Sequence, residues 1–558
     1  MKAVLSFAIV LALSGCGGGG GSSDRPAATI PPPVSVTPTT APTATELEAA
    51  SKLLSVATFG PTYAELDAAA RRGLDLWLSD QFGMSASRHL PVVQRYIDEY
   101  GYDIGSSPPP GFYRRFAFWE RALNAPDQLR QLTAYALTQI FVVSDNVDAL
   151  FIDPRALASY YDLLLEHAFG NYRDLLLAVT LHPAMGFYLS HVNNGRSNPA
   201  ANTFPDENYA REVMQLFSIG LFELNPDGSQ RLDGSGHPIP TYDNTDIREF
   251  SKIFTGLSYG PASPGAPSFF GKPVPVLHIP MRMFEAYHEP GPKHLLNAEV
   301  VPSGQSGMAD IESAIDNLFN HANVGPFIGR QLIQRLVTSN PSPEYIARVS
   351  AAFNGDGGTP RGDMQTLIRA VLLDPEAGSG ARLREPFRRY IALNRSLEVT
   401  SGDGTYPGLG YIAQFLTGQN VLSAPSVFNF YSPSFSPTGA LGDAGLFAPE
   451  FEITNASTIV GMSNLVGYAL YSGESLDTPD GFTTIQPDLS SMNAVADDQA
   501  ALMDRIDLLF FSGDMSTATR STIAEVLDDI GSDRSTIVRT ALYLALISPD
   551  YAIAGGVE

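Results

Sequence analysis

Helical periodicity constrains this chain more than any other sequence feature, and it runs from about residue 46 to the C-terminus. Two patterns, Thr45 to Glu48 and Thr62 to Glu65, fit capping boxes and predict helix starts on either side of the Phe59-Gly60-Pro61 break. Asp153 followed by Pro154 predicts a cap with proline at the first helical position. The sequence therefore predicts a mostly α fold, a large multi-helix globular domain.

Strand alternation is scarce in the same region. Brief apolar runs framed by polar, glycine and proline residues allow only a few short strands in loops, within 231–242 and 272–280. The predicted helices after the first two cover 112–124, 125–143, 153–168, 171–182, 206–222, 245–256, 309–321, 324–337, 343–353, 361–373, 384–399, 450–470, 496–511, 516–530 and 533–547.

Composition excludes several classes of function. The 558 residues contain one cysteine, Cys16, so no intrachain disulfide can form and the hydrophobic core must stabilise the fold unaided. With 44% hydrophobic residues, such a core is expected. The net charge of −24 argues against a nucleic-acid partner and against electrostatic docking on anionic lipid.

The first residues have the pattern of an export signal. Lys2 precedes the short apolar run from Ala3 to Leu13, and small residues Ser14 and Gly15 lead to Cys16. This pattern resembles a bacterial lipobox, in which the cysteine is acylated. We therefore interpret 1–15 as a lipoprotein signal peptide, 16–45 as a lipid anchor with a Gly/Ser/Pro/Thr-rich linker, and 46–558 as a single helical domain or two packed subdomains.

This interpretation also predicts where in the cell the protein is located. No aspartate follows Cys16, so the sorting rule for such lipoproteins predicts the outer membrane of a Gram-negative envelope. The expected membrane contact is the lipid anchor, because no apolar run long enough to span a bilayer follows the signal.

The segment that begins at Asp206 is the first candidate for chemistry. Asp206 predicts a helix cap, and Glu207 lies four residues before Arg211 on one face. Asn208 lies four residues before Glu212, and both would sit at the edge of an apolar stripe. Glu212 is therefore a candidate catalytic acid/base or cation ligand, and Asp206, Glu207, Asn208 and Arg211 are candidate binding residues. The alternative is a capped helix with one internal salt bridge.

A second candidate lies in the proline-rich loop 287–296. His288 is a candidate base or metal ligand, Lys293 a candidate anion ligand, and Glu289 a further binding candidate. Pro290 interrupts any helix, so the spacing does not match a His-Glu-x-x-His zinc motif. The alternative is a turn with solvated charges. The sequence names no cofactor and no particular metal.

Other histidines and aromatics are less specific. His182 and His321 fall near predicted helix ends, where an imidazolium would suit the helix dipole, and we expect them to be structural. His191 lies in a loop that could face the helix after Asp206. Aromatic residues in 425–433 and 446–450 suggest either a carbohydrate or peptide surface or a loop packed on its own rings.

Several segments spread along the chain carry a family resemblance: Ala57–Thr62, Phe118–Arg121, Glu207–Phe217, Asp246-Ile247, Phe254–Gly256, His288–Lys293, Phe327–Leu332 and Gly418–Asn420 before Pro425. With these segments the chain resembles the bacterial domain-of-unknown-function family 1800 from about residue 47 to the C-terminus. The resemblance implies an exported, mostly helical protein, of a kind often encoded beside members of family 1501. No activity is established for the family, so the resemblance implies no catalytic residue. Phe428 to Tyr431 departs from relatives that have tryptophan after a glycine there, which indicates a variant subgroup.

Two functions of different class follow. The first is a lipid-anchored helical scaffold that binds an exported partner or polymer, with a protein of family 1501 as one such partner. The second is an envelope hydrolase that uses Glu212 and His288 as acid/base groups or metal ligands. If Cys16 is acylated, thiol chemistry is excluded from the mature domain in either case.

Overall fold

The structure is a computed structural model that describes residues 41–103, 105, 108–263, 265–273, 275–378, 380–402, 404–472, 474–478, 481–531 and 533–555. Residues Ala41–Glu558 form one compact unit. The proposed signal peptide, the lipidated Cys16 and nearly all of the proposed linker lie outside the described residues.

The fold is mostly α-helical. The α-helices in chain order are α1 (Ala44–Ala57), α2 (Tyr63–Arg72), α3 (Leu74–Gly83), α4 (Leu90–Tyr100), α5 (Tyr113–Asn124), α6 (Gln128–Thr138), α7 (Asp148–Ile152), α8 (Pro154–His167), α9 (Tyr172–Leu181), α10 (Pro183–Tyr188), α11 (Asn208–Gln215), α12 (Asn244–Ile253), α13 (Gly307–Phe319), α14 (Val324–Leu336), α15 (Pro343–Asn354), α16 (Met364–Leu372), α17 (Pro386–Ser396), α18 (Pro407–Thr417), α19 (Ala440–Asp443), α20 (Ala456–Gly467), α21 (Ser490–Asn493), α22 (Gln499–Ile506), α23 (Thr517–Asp529), α24 (Arg534–Ile547) and α25 (Pro549–Ala552). Two π-helical segments, Tyr468–Ser472 and Asp507–Phe511, continue α20 and α22.

The strands are short and form two-stranded antiparallel sheets. The pairs are β1 (Leu257–Ser258) with β2 (Arg282–Met283), β3 (Lys293–His294) with β4 (Val300–Val301), β5 (Arg382–Leu383) with β8 (Ile553–Ala554), and β6 (Glu474–Thr478) with β7 (Gly481–Ile485). The predicted strand region 231–242 holds isolated bridges such as Leu232 with Pro238. The described part of 272–280 forms no strand, so that expectation was wrong.

Helix starts follow the local capping signals. Thr62 accepts a hydrogen bond from the Glu65 backbone N–H, and Glu65 accepts one from the Thr62 N–H, which confirms the second predicted capping box. Asp153 caps α8 as expected. The first box is displaced by two residues, because Thr43 rather than Thr45 pairs with Glu46.

The candidate helix after Asp206 is shorter than predicted. It ends at Gln215 instead of continuing to 222. The Ser218 hydroxyl donates to the Val213 carbonyl at 2.5 Å, and Gly220 then takes a positive φ of 71°. A Cβ at Gly220 would lie 2.8 Å from the Phe327 ring, so a distant helix sets this turn.

One hydrophobic core holds residues from Ala50 to Tyr551. At its centre, the fully buried Trp119 of α5 packs edge to face against Phe387 and Tyr390 of α17, with ring centroids 5.8 and 5.2 Å apart. Phe59 packs edge to face on Phe118 at 5.8 Å, which brings the loop after α1 onto the same seam. Among the residues described, no helix is long and apolar enough to cross a membrane.

Helices α18 and α20 make one of the closest crossings in the fold. A Cβ at Gly461 of α20 would overlap the Leu416 carbonyl oxygen of α18. Only glycine therefore allows the two backbones to approach this closely.

Replacing Gly461 with alanine will destabilise the fold, because the added methyl group has no space at this crossing. We expect Gly461→Ala to lower the free energy of unfolding by about 1–3 kcal/mol in urea titrations. Gly467→Ala is the matched control, since its Cβ would meet only Tyr543 at 3.8 Å. The control should be neutral or gain up to about 1 kcal/mol from helix propensity. Equal transition midpoints for the two variants would contradict the crossing.

Candidate functional site

The helix that carries the first predicted site begins with an aspartate turn. The Asp206 carboxylate accepts a hydrogen bond from the Asn208 N–H at 2.8 Å, although the N-cap residue itself is Glu207. Glu207 and Arg211 form the predicted i, i+4 ion pair at 3.7 Å, and both side chains are partly exposed. Asn208 is exposed. These four residues therefore lie at the surface end of α11.

Glu212, by contrast, is buried. Its Oε2 atom has no hydrogen-bond partner among the described residues. Burial raises the pKa of Glu212, and the opposing effect of the Arg211 charge is smaller. A carboxyl group in this environment resists ionisation, as a general acid would.

The buried side of α11 carries Tyr209, which stacks on a histidine ring. His191 stacks on Tyr209 with ring centroids 3.9 Å apart, so the loop that carries His191 faces this helix. His191 Nε2 lies 2.8 Å from the Thr180 carbonyl, and the Tyr209 hydroxyl lies 2.7 Å from the Thr180 hydroxyl. Because a carbonyl only accepts, Nε2 carries the proton. Burial lowers the pKa of His191 to about 4, which keeps the ring neutral.

His288 and Lys293 belong to a buried ion network. Both approach Asp310 of α13: His288 Nε2 lies 2.9 Å from Asp310 Oδ2, and Lys293 Nζ donates to the same oxygen. The three side chains are 3%, 1% and 0% exposed. The loop therefore does not carry solvated charges, and that alternative was wrong.

The network is closed by backbone groups and by close packing. Lys293 Nζ donates to the Glu289 carbonyl at 2.5 Å, and His288 Nδ1 lies 2.9 Å from the Thr255 carbonyl. A Cβ at Gly307 would lie 3.0 Å from the His288 ring. This crowding leaves little space for a substrate beside His288. The Glu289 carboxylate, which is partly buried, accepts from the Ser197 N–H at 3.1 Å.

The two predicted site groups are not joined. No hydrogen bond or ion pair between described residues links Glu212 to His288 or to Lys293. No group of three or more histidine, cysteine, aspartate or glutamate side chains suited to a metal ion occurs in the described part of the chain. The predicted residues thus form a surface helix end with a buried glutamate, and a separate buried network.

His182 and His321 accept hydrogen bonds from backbone N–H groups, so neither is an imidazolium group. His182 is the N-cap of α10, where its Nδ1 accepts from the Ala184 N–H, and burial lowers its pKa to about 3. His321 Nδ1 accepts from the Asn323 N–H, and burial lowers its pKa also. Accepting nitrogens carry no proton, so the expected dipole interaction of a charged ring was wrong.

The aromatic stretch after residue 425 divides between core and surface. Tyr431 is buried, and its hydroxyl donates to Glu385 at 2.9 Å. Phe428 is exposed, and Phe447 packs under the Arg330 guanidinium at 5.1 Å. Within this stretch Phe428 remains available for an external contact.

An uncharged exposed surface was missed by sequence reasoning. Phe415 of α18 is 85% exposed, the largest exposure of a hydrophobic side chain among the described residues. Phe415 is adjacent in sequence to Leu416 of the crossing, and α20, which packs on α18, exposes four more apolar or aromatic side chains along its length and its π-helical continuation. We call these five residues the uncharged face: Phe415, Ile459, Val460, Tyr468 and Tyr471.

Sequence reasoning missed both the uncharged face and the role of Asp310, although each had a signal in the sequence. No charged residue occurs between Asp403 and Asp443 or between Glu452 and Glu474, although 17% of the chain is charged. Such charge-free helices with exposed aromatics are typical of contact surfaces. Asp310 stands on the apolar stripe of α13, where a buried partner had to be expected.

The ion network predicts a large stability loss when Asp310 is neutralised. Asp310→Asn leaves the Lys293 ammonium buried without a counter-charge, so the free energy of unfolding should fall by about 3–5 kcal/mol. Asp316→Asn on the same helix is the control, because Asp316 is 49% exposed and pairs with Arg173. Its loss should stay below about 1 kcal/mol. Losses of equal size in urea unfolding would mean that the network is solvated.

The buried Glu212 predicts a specific pH dependence. A folded-state pKa above the unfolded value stabilises the fold at acid pH, and this contribution is lost as pH rises through the folded value. Glu212→Gln removes the titration, so its stability relative to the parent should increase from about pH 4 upward. Glu207→Gln is the control for loss of a carboxylate, because Glu207 is a partly exposed residue at the start of the same helix. Urea titrations across pH tell them apart, and a pH-independent difference for Glu212→Gln would contradict the burial argument.

Comparison with known proteins identifies the family. No curated protein and no solved structure matches the chain. A family model described as "Protein of unknown function (DUF1800)" matches residues 52–553. That match includes α11, the His288 network and the uncharged face, and it covers most of the sequence. The chain therefore belongs to the DUF1800 family.

Proposed function

We propose that this protein is a lipid-anchored, helical binding protein of the bacterial cell envelope, which holds an exported partner through the uncharged face. The observation that carries the proposal is the 85% exposure of Phe415 on α18. Neither α18 nor the neighbouring α20 contains a charged residue. Exposed aromatics in an uncharged setting are costly in water and are typical of protein interfaces. Acylated Cys16 would hold the domain at the outer membrane, and nucleic acid is not among the expected partners.

A protein partner suits this face better than a bilayer or a second copy. Helices that lie on membranes usually carry lysine and arginine on their polar side, and α18 and α20 have none. Two copies, each with a net charge of −24, would repel one another. The partner that we propose is an exported protein of family 1501, because members of this chain's family are often encoded beside members of family 1501.

The environment of the candidate catalytic residues also favours binding over catalysis. His288 and Lys293 are engaged with Asp310 and with backbone carbonyls. A general base needs access to a substrate proton, and both side chains are almost completely buried. This arrangement supports a structural role for the loop.

The alternative function, an envelope hydrolase, rests on Glu212. Its unpartnered buried oxygen and raised pKa are the properties of a general acid. If this alternative holds, cells that carry Glu212→Gln will show the same envelope phenotype as cells that lack the gene, although the variant protein is folded. Cells that carry Glu212→Gln and still behave as the wild type would leave the binding proposal in place.

Substitution of Phe415 tests the proposed face directly. Phe415→Asp places a charge on the most exposed residue of the uncharged face, so affinity for a purified family-1501 protein should fall at least about tenfold. The melting temperature should remain unchanged, because the side chain is exposed. Phe269→Asp is the control, since Phe269 is 52% exposed outside the face.

Three measurements separate the occupants: calorimetry with the family-1501 protein, sedimentation for self-association, and flotation with phospholipid vesicles. Binding of the family-1501 protein that Phe415→Asp alone weakens supports the proposal. Equal effects of the two variants, or a face that binds only vesicles or a second copy, would overturn it.

A further inference from the structure

A cluster of arginines lines a narrow cavity that the proposed function does not use. The cavity has a volume of about 40 Å³ and lies between the loop after α1, the end of α14, the start of α17 and the chain near Ala554. Its wall includes four guanidinium groups, from Arg382, Arg384, Arg388 and Arg389. A buried water needs about 10–15 Å³, so the space fits roughly three waters or one compact anion.

Carboxylates act on these arginines only from beyond ion-pair distance, as Glu385 does on Arg388 and Asp514 on Arg384. None of the four forms an ion pair with a carboxylate within the described part of the chain, whereas most other arginines there do. Arg384 donates to the Phe510 carbonyl at 2.7 Å, and Arg382 donates to the Arg335 carbonyl. These acceptors are neutral. The cluster therefore concentrates positive charge in a protein whose net charge is −24.

Arg389 has the fewest hydrogen bonds of the four arginines, since the side chains of Arg382, Arg384 and Arg388 each donate to a backbone carbonyl. It is 8% exposed, and no side-chain hydrogen bond to it is found among the described residues. The Nε atoms of Arg389 and Arg382 are both buried without an acceptor. Burial and the repulsion of Arg382 lower the pKa of Arg388 to about 10, and the opposing effect of the Glu385 charge is smaller.

The nearest acidic side chains do not neutralise the cluster. The Glu385 carboxylate accepts from neutral donors instead: Tyr431 Oη at 2.9 Å, Gln419 Nε2 at 3.0 Å and Gln139 Nε2 at 3.2 Å. Burial raises the pKa of Glu450 to about 7, which weakens its negative charge near neutrality. Buried cations without a paired anion are strongly destabilising, so a ligand that supplies the anion would stabilise the fold.

We propose that this cavity binds a tetrahedral oxyanion, a phosphate or sulfate group that is either free or carried by a small ligand or an envelope polymer. Guanidinium groups present paired N–H donors that match such oxygens, and four of them suit a dianion better than a carboxylate. The partly exposed residues of the lining include Arg384, Ser55 and Ala554, and we place the entry to the cavity beside Arg384. The site is distinct from the uncharged face, and the two proposals can fail independently.

The test uses the purified protein in a buffer free of phosphate and sulfate, at constant ionic strength. Inorganic phosphate or sulfate should raise the melting temperature in a saturable manner, and calorimetry should show one site, whereas acetate and chloride should have no comparable effect. Arg389→Met should weaken phosphate binding by about tenfold or more. Arg330→Met is the control, because Arg330 is a largely buried arginine outside the cavity and should bind phosphate as the parent does.

If Arg389→Met does not fold, Arg384→Gln at the entry replaces it, and the phosphate titration of the unmodified protein decides on its own. Competition by glycerol phosphate would identify a phosphate ester as the ligand, and its absence would identify the free ion; both support the site. Equal responses to phosphate and chloride, unchanged binding by Arg389→Met, or equal loss in Arg330→Met would overturn the proposal.

Discussion

The docking of the Phe59–Pro61 loop on α17 is the contact on which much of the fold depends. Gly60 has a φ of 135°, and a Cβ there would lie 2.8 Å from the Ala392 Cα atom. Arg395 donates to the Gly60 carbonyl, and Phe59 joins the aromatic seam between α5 and α17. This one loop therefore attaches the first two helices to the core and forms part of the wall of the arginine cavity.

Buried charge has two opposite arrangements in this protein. Around Asp310 the ammonium of Lys293, the His288 ring and backbone carbonyls satisfy one another, and the result is a rigid internal network. Around Arg389 four arginines line a cavity, and the buried Nε atoms of Arg382 and Arg389 have no acceptor among the described residues. Because a low dielectric makes an unpaired charge expensive, the first arrangement indicates structure and the second indicates a ligand.

Much of the fold was predictable because helix starts are local. Thr62 with Glu65, and Asp153 before Pro154, each specify a cap within three residues. Helix ends were less predictable: α11 stops at Gln215 because Ser218 bonds backward and Gly220 turns against Phe327, a residue more than a hundred positions away. The site was half predictable, since His288 and Lys293 are neighbours in sequence but their shared partner Asp310 is on another helix.

The sequence by itself determined the helical class, most helix positions and the family, because periodicity, capping and motif spacing act over short distances along the chain. Only the tertiary structure decided which charges are paired, which are buried alone and which apolar residues stay exposed. Burial depends on contacts between distant elements, as when Gly461 meets Leu416 and leaves Phe415 in solvent. Such contacts have no counterpart in local sequence patterns.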